Sequence, residues 1–455
     1  SGEAAPDAVW FKVRDAAGPT AFLGYDRTEA DGELKAIIAG GEPRERLSEG
    51  ETGELVFDRT PFYAESGGQI GDAGLIEFSD GARFIVDDVK KRAGDVWAHI
   101  GRMDAGAAEP GATAHMGVDA ERRAKTMANH SATHLLHAAL RDVLGPHVTQ
   151  KGSYVGPDRL RFDFSHAKAL TREEAQKIEA QVNAVIRQNA PAQTAEMSPD
   201  DAIEAGALAL FGEKYGDTVR VLTLGRSVGG EDGAYSVELC GGTHVERTGD
   251  IALFKIVGES AVSAGVRRVE ALTGEAARRW LEGEAALARE AADTLKTPTE
   301  ELPARIVSLL DERKSLERQL AEAKKRLAMG GGGAAPAGPE DLGGVKFIGR
   351  VAEGVGGKEL RGLIDEARDQ LGSGVAAFIG VNDGKAALAV GVTKDLAGAI
   401  DAVELVRAGT AEVGGKGGGG RPDFAQAGGP DGANAEAALG AIREQIKANA
   451  ARAAE

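Results

Sequence analysis

Through the first hundred residues, apolar positions come in short alternating runs such as Leu55-Val56-Phe57 and Arg83-Phe84-Ile85-Val86, separated by Gly and Asp turns. That spacing predicts a small β-barrel. From about Asp119 the pattern lengthens to a helical period that runs through His137-Ala138-Ala139-Leu140. A helix is also predicted from Thr171 to Asn189, with Thr171 and Glu174 as a capping box, followed by strands at Val219–Leu224 and Ile251–Val257.

The stretch 273–329 is charged and alanine-rich. Its Leu302, Ile306, Leu309, Arg313, Leu316, Leu320, Ala323 and Leu327 alternate at four and three residues, an a/d seam with one arginine in it. The seam fits a helical hairpin or a homodimer, and Pro298 and Pro303 break the helix before it. Gly330 to Pro339 reads as a flexible linker. Beyond it, Glu359–Gln370 predicts a helix, and Val375–Val381 and Ala386–Val392 predict adjacent strands around an Asn382-Asp383-Gly384-Lys385 turn. The expected fold class is therefore α+β and multidomain. It comprises a β-barrel (1–115), an α+β unit (116–274), a coiled-coil-like helical segment (275–329), a linker (330–342) and a C-terminal α/β domain (343–455).

Composition agrees with this division. A chain of 455 residues suggests about three domains, and 42% hydrophobic residues supply several cores. No apolar run is long enough to span a membrane and no signal peptide is evident. The single cysteine excludes an internal disulfide and fits a reducing compartment such as the cytoplasm. A formal charge of −17 argues against wholesale coating of nucleic acid. Local basic clusters (Arg122, Arg123 and Lys125; Arg267 and Arg268) fit either a phosphate-facing surface or solvated helix faces. From Gly343 onward the charges nearly balance, 13 basic against 15 acidic.

The candidate chemistry lies in two short-spaced pairs. His130 and His134 are four apart on a predicted helix, so both imidazoles share one face. Cys240 and His244 flank Gly241-Gly242-Thr243, which reads as a tight loop. Three imidazoles and one thiolate make a tetrahedral set suited to Zn²⁺. His99, His115, His137, His147 and His166 show no such pairing and read as structural or surface residues. Two glycine-rich stretches are weaker signals. Ser66-Gly67-Gly68-Gln69 reads as a β-turn, while Gly414 to Pro422 could offer backbone N–H groups, Lys416 and Arg421 to phosphates. The latter lacks the Lys-Ser/Thr of a P-loop.

The order of motifs resembles the alanyl-tRNA synthetase family. Thr60-Pro61-Phe62-Tyr63 with Ser66 to Gln69, Asn129 to Leu136, Val148 to Ser153, Cys240 to His244 and Ala264 to Gly274 resemble its editing region. Gly414-Gly415-Lys416 through Arg421 to Gly429 resembles its C-terminal DHHA1-like domain, whose relatives occur in DHH-type phosphoesterases. The resemblance implies hydrolysis of Ser-tRNA(Ala) and Gly-tRNA(Ala) at a zinc site held by His130, His134, Cys240 and His244. It further implies that Thr133 reads a serine side chain, that Gln150 places water or the terminal ribose, and that Lys416 and Arg421 grip tRNA(Ala). The family's ATP-dependent class II aminoacylation domain finds no counterpart. With the Ser1-Gly2 start, that leads us to expect the C-terminal half of a bacterial synthetase. A free-standing editing protein and a non-catalytic tRNA-binding module with structural zinc are the alternatives.

Overall fold

The structure, a computed structural model, describes residues 4–208, 217–228, 233–328 and 338–454. Most of the expected linker, 330–337, lies outside the described residues. The chain forms two compact units, Ser1–Ala288 and Arg289–Glu455.

The first unit opens with helix α1 (Ala4–Ala17) and a barrel of six strands: β1 (Glu29–Ala39), β2 (Thr52–Phe57), β3 (Gly74–Phe78), β4 (Arg83–Arg92), β5 (Val96–Ala105) and β6 (Thr113–Val118). They pair antiparallel in the order β6-β3-β4-β5-β2-β1, and β1 pairs back onto β6 to close the cylinder. The alternation seen in the sequence sends Leu34, Leu55, Phe57, Ile76, Phe84, Val86, Met103 and Met116 inward. The barrel is thus filled by side chains.

The chain leaves the barrel through Asp119, which caps α2 (Ala120–Leu144) by accepting from the Arg122 N–H. One sheet follows, from β7 (Gln150–Val155), β8 (Leu160–Ser165), β12 (Phe254–Ser263) and β13 (Val266–Thr273). A second joins β9 (Gln193–Met197), β10 (Val219–Arg226) and β11 (Ala234–Leu239). Helix α3 (Arg172–Arg187) carries the expected Thr171/Glu174 capping box. Leu135, Leu136, Ala139 and Leu140 of α2 pack against Phe162 and Phe164 of β8 and Ile178, Val182 and Val185 of α3. Burying that face fixes how the preceding turns of α2, which bear the histidine pair, are presented. Helix α4 (Gly274–Thr294) runs on from β13.

The second unit contains α5 (Leu302–Ala328), whose seam residues Ile306, Leu316, Leu320 and Leu327 are exposed. Pro303 falls in its first turn, where a missing N–H costs nothing. A mixed sheet is built on β14 (Lys346–Glu353), β15 (Val375–Asn382), β16 (Lys385–Val392), β17 (Gly418–Arg421) and β18 (Phe424–Gly429), with the two-residue strand Glu340–Asp341 at one edge. Val375, Ala377 and Ile379 of β15 face a core shared with α7 (Ala402–Glu412) and α8 (Ala435–Ala454). Ala376 and Phe378 face the core under α6 (Gly357–Leu371). Strand β15 is buried on both sides, which is why its sequence is a continuous apolar run. The expected hairpin turn forms with Asp383 and Gly384 at φ 48° and 73°.

Candidate metal centre

His130 and His134 lie one turn apart on α2, with ring centroids 5.2 Å apart. Cys240 follows the last residue of β11 directly, and His244 closes the loop after it. One ligand atom from each of His130, His134, Cys240 and His244 falls within 4.8 Å of all the others. Strand pairing holds the loop at its root, since the Cys240 N–H donates to the Arg220 carbonyl at 3.0 Å.

Each imidazole of the cluster is held through Nδ1 by another residue. His130 Nδ1 donates to Gln69 Oε1 at 2.7 Å. His134 Nδ1 donates to Glu238 Oε2 at 2.7 Å. His244 Nδ1 lies 3.2 Å from Ser131 Oγ, which also accepts from the Val245 N–H. With the proton held at Nδ1, Nε2 carries the lone pair of each neutral ring, and two of these atoms face the cysteine sulfur: His244 Nε2 is 3.2 Å and His130 Nε2 3.6 Å from Cys240 Sγ. His134 Nε2 is buried without a hydrogen-bond partner among the described residues. Side-chain partners that fix the tautomer of ligating histidines are characteristic of metal sites. Three Nε2 atoms and one sulfur therefore fit Zn²⁺, which prefers four N and S donors.

The electrostatics agree at Cys240 and His244 but not at His134, where Glu238 and Cys240 outweigh burial and raise the imidazole to about 10, so that a metal would have to displace a proton there. Burial alone disfavours a thiolate, but the imidazoles of His130, His244 and His134 outweigh it and hold Cys240 well below the usual thiol range. Burial likewise works against a charged Glu238, yet His134 and His137 outweigh it and keep this carboxyl ionised. Burial drives His244 the other way, down to about 3, so its ring stays neutral. A ligand set must be deprotonated to bind a metal, and the thiolate and the neutral ring meet that need. Glu238 can keep the Nδ1 proton of His134 when a cation takes the place of the Nε2 proton.

Several contributors did not stand out in the sequence. Glu238 sits two residues before the cysteine, and its Oε1 also accepts from His137 Nδ1 at 3.0 Å, drawing in a histidine read as merely structural. Gln69 comes from the glycine turn of the barrel. Tyr25 donates to the Gly241 carbonyl at 2.9 Å. Only the Glu-X-Cys spacing and the adjacent Gly-Gly-Gln offered any hint of them.

The other expected residues lie apart from the cluster's bonds. Thr133 is buried and donates its hydroxyl to the Asn129 carbonyl at 2.8 Å. Gln150 opens β7 and donates to Ser153 Oγ at 3.1 Å. Neither hydrogen-bonds a member of the cluster. Lys416 and Arg421 are exposed, and Arg421 pairs with Asp423 at 3.3 Å. Much of the glycine run is strand β17, paired to β18, so fewer of its backbone groups are free than in a loop. Among the basic residues near the histidine pairs, Arg123 is buried against Asp72, and Arg268 is bound to Asp163 at 2.7 Å.

Three family models match the chain: "tRNA synthetases class II (A)" over residues 3–122, "Threonyl and Alanyl tRNA synthetase second additional domain" over 219–270, and "DHHA1 domain" over 344–448. The first covers the barrel, the second the strands that carry Cys240 and His244, and the third the mixed sheet. Two of the three are named for tRNA synthetases, the first of them for class II. The chain is 59% identical over 448 residues to an alanine–tRNA ligase of Hyphomonas neptunium, covering 98% of this chain and 50% of that protein. Alanine–tRNA ligases of Parvibaculum lavamentivorans and a Caulobacter species are each 57% identical, with the same coverage. The C-Ala domain of Aquifex aeolicus alanyl-tRNA synthetase is 29% identical over 24% of this chain and 97% of its own, with a TM-score of 0.23. The chain belongs to the alanyl-tRNA synthetase family. It spans about half the length of the curated relatives it matches. Among the described residues, no helix is long and apolar enough to cross a membrane.

Proposed function

We propose that this chain is the editing portion of an enzyme that attaches alanine to tRNA(Ala), and that it hydrolyses Ser-tRNA(Ala) and Gly-tRNA(Ala) at a zinc site in the cytoplasm. The observation that carries this reading is the convergence of His130, His134, Cys240 and His244 in a member of this family. A second site has a physical reason. An alanine pocket cannot exclude the smaller glycine by bulk, and it rejects an added hydroxyl only weakly.

In this reading the three Nε2 atoms and Cys240 Sγ hold Zn²⁺. When bound, zinc supplies Lewis-acid polarisation of an ester carbonyl. Gln69, Glu238 and Ser131 keep the histidines in one tautomer and orientation. Thr133, whose proton is committed to Asn129, retains lone pairs able to accept from a serine hydroxyl. Gln150 aligns water or the terminal ribose. The domains expected at 1–115, 116–274, 275–329 and 343–455 belong to this reading, with Lys416 and Arg421 of the last gripping tRNA. So does a homodimer along the exposed α5 seam, which sedimentation of the chain against a Leu316→Asp, Leu320→Asp variant would test.

The test is deacylation of Ser-tRNA(Ala) by the wild type and by Cys240→Ala, with metal content measured in both. Loss of zinc with loss of hydrolysis is expected. An unchanged rate in zinc-free protein would sink the metal mechanism. The full complement of four protein donors favours a second reading, in which the ion is closed and structural. Zinc removal that leaves the fold intact but abolishes hydrolysis excludes that reading, whereas unfolding on removal supports it.

A further inference from the structure

The barrel reaches into the cluster at two points, and this inference rests on the metal binding proposed above. Gln69 is fully buried. Its Oε1 accepts from His130 Nδ1 at 2.7 Å and from the Thr243 N–H at 3.0 Å, while its Nε2 donates to Thr243 Oγ1 at 2.8 Å. A single amide therefore ties a ligand on α2 to the loop that carries Cys240 and His244. The turn that delivers it is pinned to β7: the Val155 N–H donates to the Gly68 carbonyl at 2.7 Å, and the Ile70 N–H to the Val155 carbonyl at 3.1 Å. Gly68, at φ 89°, lies so close to β7 that a Cβ there would sit 2.2 Å from Ser153 Oγ. The second point is Tyr25, which donates to the Gly241 carbonyl and lies under the Arg220 guanidinium, 4.2 Å from the ring centroid. Arg220 in turn donates to the carbonyls of Gly242 at 2.8 Å and Cys240 at 3.2 Å.

We propose that Gln69 and Tyr25 are positioning residues of the metal centre, so that the barrel is half of the site and not merely its neighbour. Gln69 Oε1 requires a proton on His130 Nδ1, which leaves the Nε2 lone pair for the ion. Without that acceptor the ring populates both tautomers and turns more freely. Its tie to Thr243 sets the distance between the two halves of the ligand set. Tyr25 and Arg220 hold three successive carbonyls of the cysteine loop, 240 to 242, against the barrel.

Zinc affinity of the full chain, measured by competition with a chelating dye, tests this together with the thiolate-to-metal charge-transfer band of the Co²⁺-loaded protein. Gln69→Leu is expected to bind zinc roughly tenfold to a hundredfold more weakly, the range for loss of such a partner, and to show a weaker Co²⁺ band. Gln69→Glu, whose two oxygens accept the same two N–H groups, is expected to recover most of the affinity. Tyr25→Phe, at a half-exposed position, is expected to weaken binding by a smaller but measurable factor. Wild-type affinity in Gln69→Leu overturns the proposal while leaving the metal reading standing. A wild-type chain that binds no zinc overturns the metal reading itself. If circular dichroism shows that Gln69→Leu does not fold, Tyr25→Phe decides, and wild-type affinity in that variant overturns the proposal.

Discussion

Arg123 and Asp72 form an ion pair in the interior of the first unit, with Arg123 3% and Asp72 4% exposed. The guanidinium is the hub of a polar junction. It reaches both Asp72 oxygens, and it donates to the carbonyls of Gly24 and Pro61 at 2.8 Å each. Asp72 also accepts from the Tyr63 N–H. Removing one partner of such a pair leaves an uncompensated buried charge, at a cost of about 3–5 kcal/mol. Arg123→Met is therefore expected to lower the urea midpoint of the chain steeply without changing tRNA affinity in whatever protein remains folded. Arg123→Lys should recover little, since one ammonium cannot reproduce a planar fork bonded to three residues.

That residue also shows where sequence reading reaches its limit. Arg123 stands in a run with Arg122 and Lys125 that looks like a surface cluster, and only the approach of the barrel loops around Gly24, Pro61 and Asp72 buries it. Strands and helices were legible because period-two and period-3.6 patterns are local, as in β4 or α3. The four clustered residues were legible as a candidate set because their spacing is short and the cysteine is unique. Gln69 and Glu238 were not. Their part depends on pairings 61 and 104 residues apart in sequence, and a Gln after two glycines has the composition of any turn. Nor did composition reveal that the C-terminal glycine run would pair as an edge strand.

His99 gives the barrel an acid-sensitive point. The ring is fully buried, donates from Nδ1 to the Leu55 carbonyl at 2.9 Å, and accepts at Nε2 from the Thr60 hydroxyl at 2.7 Å. Burial pulls its pKa down to about 4. As pH falls below the ordinary value near 6.5, the unfolded chain binds a proton that the folded chain refuses until about pH 4. Stability is thus complete above pH 6.5 and lost through that window, by about 3 kcal/mol at most. The stability difference between the wild type and His99→Gln should shift toward the variant by up to that amount between pH 7 and pH 4. Urea titrations at a series of pH values measure it, and parallel pH profiles would assign the acid sensitivity elsewhere.

Lys416 and Arg421 are exposed on the C-terminal unit, next to and within the edge strand β17. If each neutralises a phosphate, the dependence of tRNA affinity on salt should carry their signature. Replacing either by Gln is expected to weaken tRNA binding and to make the slope of log K against log salt shallower by about 1 for each phosphate no longer neutralised. Filter binding at several salt concentrations resolves this. Unchanged slopes in the double variant would move the tRNA-binding surface away from these residues.

Gly242 is the point at which the cysteine loop can least tolerate a side chain. A Cβ there would lie 2.1 Å from His130 Cε1 and 2.8 Å from Gln69 Oε1, far inside contact distance. Neither neighbour can give way: the His130 ring is held through Nδ1 by Gln69, and the Gln69 amide is bonded on both sides. Gly241, by contrast, meets only the Tyr25 hydroxyl, at 3.9 Å. Gly242→Ala should therefore push the loop off α2 and separate Cys240 and His244 from His130 and His134, whereas Gly241→Ala should bind metal nearly as the wild type does. Zinc content after dialysis, with Ser-tRNA(Ala) deacylation on the same samples, compares the two. Equal zinc retention by both variants would mean that the loop need not close this tightly for the four donors to meet.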